Sequence, residues 1–323
     1  MIQEPLIEVR DLKTYFPVRQ GLFQKVVNHV RAVDGVSFGV QPGQTLALVG
    51  ESGCGKTTVG KTILRLIPAT AGEVLYRGQN ILNMSKADML AVRRKIQIIF
   101  QDPANSLDPR MLVRDIIGEG LKSFNMVSGR QEYQDRIAHV LEQVELDPSV
   151  MMRYPHEFSG GQRQRICIAR ALAVEPEFIV CDEATSALDV SVQASILNLL
   201  KQLQAKMGLT YLFITHDLSV VEYLSDRVAV MYLGQIMEES ATTTLFNHPE
   251  HPYTEALLRS APSLNVDQRD LVALGGEIPS PMNPPPGCRF ETRCAKAFHR
   301  CSQELVPLYP KGDGVSRCFL SAE

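Results

Sequence analysis

Residues 50–57 read GESGCGKT, and few folds can carry the pattern G-x-x-x-x-G-K-[ST]. The chain must leave a strand, curl so that successive N–H groups point at one anion, and then open a helix. The flanks comply, with the apolar run TLALVG at 45–50 before the loop and helical patterning over 56–67 after it. Gly50, Gly53 and Gly55 permit the curl. Lys56 is placed to reach β- and γ-phosphates, and the Thr57 hydroxyl to ligate Mg²⁺.

Around this loop, short β-rich runs at 7–12, 73–78, 96–100, 178–182, 210–215 and 228–233 alternate with helical patterns at 132–145, 161–174, 190–207 and 217–225. Alternation of this kind predicts an α/β fold with a largely parallel sheet. The stretch from about 102 to 158 has no strong strand signal and reads as a helical insertion. From about residue 261 the composition shifts, and the proline-rich PSPMNPPPG (279–287) is expected to be extended, a boundary before the tail.

A second feature is an acidic pair within the run FIVCDEATSALD, 178–189. Its first four residues predict a buried strand ending in Asp182 and Glu183. In open α/β sheets an acid at a strand's C-terminal edge borders the phosphate site. Asp182 then suits the Mg²⁺ shell, and Glu183 suits orienting or deprotonating an attacking water.

Charge and hydropathy narrow the alternatives. With 33 basic and 36 acidic residues the net charge is −3, which gives no bulk case for nucleic acid as a partner. No apolar run approaches membrane-spanning length. The start, MIQEPLIEVR, lacks a basic region followed by an apolar one and does not read as a signal peptide, so the cytosol is the default and disulfides are disfavoured. Of seven cysteines, Cys54, Cys167 and Cys181 are scattered, whereas Cys288, Cys294, Cys301 and Cys318 crowd the tail in a C-x5-C-x6-C-x16-C pattern. Metal ligands, disulfides and structural thiols all remain open. The gaps are looser than the tight pairs of zinc sites, while Cys₄ ligation also suits a [4Fe–4S] cluster. His299 is read as solvated.

FSGGQRQR (158–165) resembles the signature motif of ABC-transporter ATPases, with Phe158 where Leu is commoner. The order of motifs is also theirs: phosphate loop, a lone Gln101 in IIFQDP, signature, the DE-ending strand, SALD, and His216 in ITHD. The resemblance covers residues 6 to about 260. It implies an ABC-type P-loop nucleotide-binding domain over 1–260, with a RecA-like core, an antiparallel β subdomain and a helical subdomain over about 102–175. It further implies ATP hydrolysis at a site where Gly50, Glu51, Ser52, Gly53, Cys54, Gly55, Lys56, Thr57 and Thr58 hold phosphates. Phe16 would stack on adenine, with Tyr15 the weaker candidate. Thr57, Gln101 and Asp182 would face Mg²⁺, Glu183 would be the base, and His216 would hold the γ-phosphate and water. Ser159, Gly160, Gly161 and Gln162 would contact the ATP of a second, head-to-tail ATPase subunit, with Ser186 and Asp189 across that interface. Ser159 is also a natural N-cap for the helix that follows. Cys54 is expected to make the ATPase sensitive to thiol alkylation, and Cys167 and Cys181 to be small buried hydrophobes.

Three stretches resemble the dipeptide/oligopeptide permease branch: QDPANSLDPR (101–110), HPYTEALL (251–258), and PSPMNPPPGCRF with the cysteines behind it. The PVRQGLF and NPPPGC runs look most like its F-type ATPase subunit. The branch implies two transmembrane permease subunits, an extracytoplasmic peptide-binding protein, a place on the cytoplasmic face of the membrane, and no nucleic acid. It also implies a 261–323 extension in which Cys288, Cys294, Cys301 and Cys318 hold a [4Fe–4S] cluster, with zinc as the alternative. Nickel and glutathione importers are close relatives of this branch. An ABC ATPase outside transport is the more distant reading, since no coiled-coil insertion, second cassette or basic arm is present.

Overall fold

The computed structural model describes residues 4–260 and 275–322. The chain opens with β1 (Ile7–Gln20), β2 (Lys25–Val40), β3 (Thr45–Val49), α1 (Lys56–Ile63), β4 (Ala71–Tyr76), β5 (Gln79–Asn80), α2 (Lys86–Lys95) and β6 (Ile96–Ile99). Helices α3 (Pro103–Ser106), α4 (Val113–Ser123), α5 (Arg130–Gln143) and α6 (Gly160–Leu172) follow, then β7 (Phe178–Asp182), α7 (Val190–Met207), β8 (Thr210–Thr215), α8 (Leu218–Leu224), β9 (Arg227–Tyr232) and β10 (Gln235–Ala241). The rest holds α9 (Thr242–Asn247), α10 (Pro252–Ser260), α11 (His299–Gln303), β11 (Tyr309–Lys311) and β12 (Gly314–Ser316). The compositional boundary at residue 261 lies outside the described residues. Among those described, no helix is long and apolar enough to cross a membrane.

The chain forms two compact units. The first comprises Met1–Val40, Thr45–Leu82 and Thr215–Glu323. It holds an antiparallel sheet in the order β2-β1-β4-β5 and a run of strands in the order β11-β12-β10-β9-β3. In that run β3 and β9 are parallel and the other pairs antiparallel. Strand β1 is longer than its expected 7–12, and β2 has no counterpart in the expected strands. The hairpin they form is irregular, with register shifts along its length and Asp11 at φ 43°, so the inward–outward alternation that betrays a strand is broken. Ala47 and Val49 of β3, Val228, Val230 and Tyr232 of β9, Val221 of α8 and Tyr253 of α10 form one core with Phe290.

The second unit comprises Gln41–Gln44 and Asn83–Ile214. Its strands β6, β7 and β8 are parallel neighbours, and every residue of β7 is buried. A strand covered on both faces is uniformly apolar rather than alternating, which is why FIVC precedes the acids. Helix α6 starts where Ser159 Oγ accepts from the Gln162 N–H at 3.4 Å and the Gln162 side chain accepts from the Ser159 N–H at 3.1 Å, a capping box.

Candidate active site

In the first unit, β3 ends in the phosphate loop. Gly50, Gly53 and Gly55 have φ of 149°, 80° and 110°, which L side chains adopt only under strain. Space excludes them as well. A Cβ on Gly50 would lie 2.1 Å from the Met231 carbonyl oxygen, and one on Gly55 2.1 Å from that of Ala32. The loop delivers α1, whose first residue is Lys56. Its side chain is buried, and Nζ donates to the carbonyls of Gly50 at 2.8 Å and Glu51 at 3.0 Å. Ser52 and Gly53 are exposed, whereas Thr57 and Thr58 are half-buried on the first turn.

Cys54 departs from its expectation. It is buried against the loop, and burial pushes its thiol pKa up despite nearby Lys56. Alkylation needs an accessible thiolate. Maleimide should therefore modify Cys54 on the order of a hundredfold more slowly in the native protein than in the denatured chain, as mass spectrometry of the loop peptide would read. Equal rates would restore the original expectation.

Tyr15 and Phe16 lie side by side on β1 but differ in engagement. Tyr15 donates its hydroxyl to Asp34, and burial followed by that bond pushes its pKa up to about 12. Phe16 stays exposed, so of the two rings it is the one open to stack on a base. His216 is exposed just past β8, ahead of Asp217, whose carboxylate accepts from the Ser219 N–H at 3.0 Å and caps α8.

In the second unit, β7 carries Asp182, 3% exposed, and Glu183 at its C-terminal end. Glu183 takes φ 48°, its N–H donates to the Ile214 carbonyl at 2.9 Å, and its carboxylate accepts from Gln101 Nε2 at 2.8 Å. Two residues 82 positions apart are thus joined directly. Ser159, Gly160 and Gln162 are exposed at the start of α6, so its first N–H groups face outward. Gly161 lets α6 approach α7 closely, since a Cβ there would meet Val192 at 2.5 Å. The Asp189 carboxylate accepts from the Val192 N–H at 3.0 Å, and this cap bond lowers its pKa. Ser186 is exposed, its hydroxyl donating to the Glu183 carbonyl at 3.0 Å.

Comparison with known proteins places this geometry. A family model described as ABC transporter matches residues 33–186, and one described as the C-terminal region of oligopeptide/dipeptide transporters matches residues 237–301. The chain is 52% identical over 307 residues to the oligopeptide transport ATP-binding protein AppF of Bacillus subtilis, covering 94% of this chain and 93% of that one. The chain belongs to the ABC transporter family. It is also 46% identical over 319 residues to the dipeptide transport ATP-binding protein DppF of Escherichia coli, covering 98% and 95% of the two chains. A dimeric post-hydrolysis structure of the ATP-binding cassette MJ0796 bound to ADP and Pi superposes with a TM-score of 0.64 at 27% identity, over 73% of this chain and 98% of that one. The fold is accordingly the ABC ATPase cassette with mixed α/β sheets.

One expectation for this cassette is overturned. Among the described residues, no group of three or more His, Cys, Asp or Glu side chains is placed to hold a metal ion. The assignment of a [4Fe–4S] cluster, or zinc, to Cys288, Cys294, Cys301 and Cys318 is therefore withdrawn. All four are free cysteines. Burial pushes the Cys288 thiol up to about 11 and raises those of Cys294 and Cys318. Three of the thiols serve as apolar packing. Cys288 and Cys294 lie against the core of the first unit, and Cys301 packs with Val306 and Phe319. A tail too short for a core of its own borrows one instead of closing around a metal, and β12 pairs with β10 through Glu238–Ser316 and Glu239–Val315. His299 lies on the surface beside Gln303, as expected.

Residue patterns missed Tyr253, Arg289 and Arg293. Tyr253 Oη accepts from the Glu51 N–H at 3.1 Å, and Arg293 and Arg289 pair with Glu51 and Asp34. Only the HPY and cysteine-flanked runs hinted at them, and neither names a partner.

Proposed function

We propose that this chain is the ATP-hydrolysing subunit of an importer for di- and oligopeptides. The observation that carries the reading is the 52% identity, over 94% of the chain, to a protein named for oligopeptide transport and ATP binding. The match of residues 237–301 to the C-terminal region of oligopeptide/dipeptide transporters supports it.

In this reading the loop from Gly50 to Thr58 binds the phosphates, Lys56 neutralises the β- and γ-phosphates, and Phe16 stacks on adenine. Thr57, Gln101 and Asp182 would hold Mg²⁺, and this all-oxygen donor set, with a buried carboxylate, fits a hard cation. When bound, Mg²⁺ supplies charge neutralisation on the leaving phosphates. Glu183 orients and deprotonates the water. The Gln101 amide donates to its carboxylate at 2.8 Å and aims it. His216 holds the γ-phosphate and the water. Ser159, Gly160, Gly161 and Gln162 close on the nucleotide of a second ATPase subunit arranged head to tail, with Ser186 and Asp189 at that interface. Two transmembrane permease subunits and an extracytoplasmic peptide-binding protein complete the assembly, placing this chain peripherally on the cytoplasmic face. Residues 1–260 act as the cassette, with a helical subdomain over about 102–175, and 261–323 as a permease-type C-terminal segment.

Lys56→Ala tests the reading. Affinity for the fluorescent analogue mant-ATP should drop about tenfold, and cells dependent on this subunit should lose uptake of labelled dipeptide. Loss of nickel or glutathione uptake, with dipeptide uptake intact, would move the chain to those related importers. Unchanged uptake of all three would end the transport reading.

A further inference from the structure

The phosphate loop carries an electrostatic oddity. Its second residue is Glu51, an anion in a loop built to bind an anion. That carboxylate is met by a fork: Arg293 Nη1 lies 2.7 Å from one oxygen and Nη2 3.0 Å from the other. The Arg293 side chain is 3% exposed and that of Glu51 23%. The pair is thus shielded from water and salt, where a bidentate contact holds both charge and direction.

Arg293 is itself held in place. Its Nε donates to the Gly275 carbonyl at 3.0 Å and Nη1 donates to Tyr232 Oη at 3.3 Å. The guanidinium lies over the rings of Tyr232 and Phe290, 5.7 and 6.0 Å from their centres. The fork thus has supports other than the carboxylate it grips. Glu51 is in turn a junction of the loop. Its N–H donates to Tyr253 Oη, and its carbonyl accepts from the Cys54 N–H at 3.3 Å and from Lys56 Nζ at 3.0 Å. Whatever fixes Glu51 therefore fixes one of the two carbonyls on which the Lys56 ammonium rests. A parallel link ties Arg289 to Asp34, the partner of Tyr15.

We propose that Arg293 is a positioning residue for the triphosphate: through Glu51 it cancels the loop's own negative charge and holds the loop, with Lys56, in the shape that receives phosphate. The inference rests on the ATP-binding reading above. It makes the C-terminal region part of the nucleotide site's support, although Arg293 touches no substrate.

The test is titration of the purified full chain with mant-ATP and mant-ADP, for the wild type, Arg293→Ala, Arg293→Lys and Arg293→Ala/Glu51→Gln, with the melting temperature of each recorded without nucleotide. Arg293→Ala is expected to weaken mant-ATP about tenfold, and mant-ADP severalfold less because it carries less charge. Arg293→Lys, keeping the charge without the fork, should fall between. Removing the orphaned carboxylate in the double variant should restore much of the loss. If Arg293→Ala does not fold, Arg293→Gln is read by the same criteria. Binding within twofold of wild type, or an equal loss for both nucleotides tracking the melting temperature, would overturn the proposal. A wild-type chain that binds no mant-ATP would overturn the ATP reading itself.

Discussion

Glu183→Gln should bind ATP as the wild type does and hydrolyse it about 10²- to 10⁴-fold more slowly. The substitution is nearly isosteric, so the backbone anchor survives: the Glu183 N–H to the Ile214 carbonyl, at φ 48°. The contact with Gln101 also survives, since Nε2 at 2.8 Å can donate to an amide oxygen as well as to a carboxylate. What disappears is the group that accepts the proton of the attacking water. The residues proposed to grip the nucleotide, Lys56 and its loop, are untouched, so affinity for mant-ATP should stay within about twofold. Phosphate release measured beside mant-ATP binding separates the two effects. With hydrolysis blocked, ATP should accumulate a closed dimer, visible as a shift in size-exclusion elution. Gln101→Ala offers a graded comparison. It removes the hydrogen bond that aims Glu183, together with one of the proposed Mg²⁺ ligands, while leaving the base, and a loss of at least about tenfold is expected. Hydrolysis continuing near the wild-type rate in Glu183→Gln would remove Glu183 from the mechanism.

The sites legible from sequence were those in which local sterics and chemistry coincide. The phosphate loop was legible because its glycines occupy backbone conformations and spaces that other residues cannot, all within eight positions. The start of α6 was legible because a capping box is a four-residue signal. Glu183 was legible because it follows directly on a short apolar run that closes with Asp182. The pairing of Glu51 with Arg293 was not, since 242 residues separate them and no local pattern encodes which distant cation meets which anion. Strand β2 was hidden by the register shifts of its hairpin. The cysteines misled for a related reason. Spacing along the chain reports how ligands could be shared, but whether three or more side chains converge to hold an ion belongs to the folded chain, and among the described residues none do.

The same reasoning makes Phe290 the residue on which the C-terminal region turns. It is 1% exposed and packs among Tyr232, Tyr253 and His251, with ring centres at 5.4, 5.1 and 6.0 Å, edge-on to Tyr232. Truncating a buried Phe costs roughly 3–5 kcal/mol through lost transfer energy and the cavity left behind. Phe290→Ala should therefore lower the melting temperature by about 10 °C, taking a few degrees per kcal/mol for a chain of this size. Phe23→Ser is the control. Phe23 is 92% exposed at the turn between β1 and β2, so its loss should change stability by no more than about 0.5 kcal/mol. A large drop for Phe290→Ala, together with weaker mant-ATP binding, would mean that residues near the end of the chain share one core with β3 and β9 and that the loop springing from β3 senses it. A melting temperature unchanged within about 2 °C would mean that the cysteine-bearing segment detaches without cost. The thiols would then need some support other than this core, and Arg293 could not serve as the fixed point from which Glu51 is held.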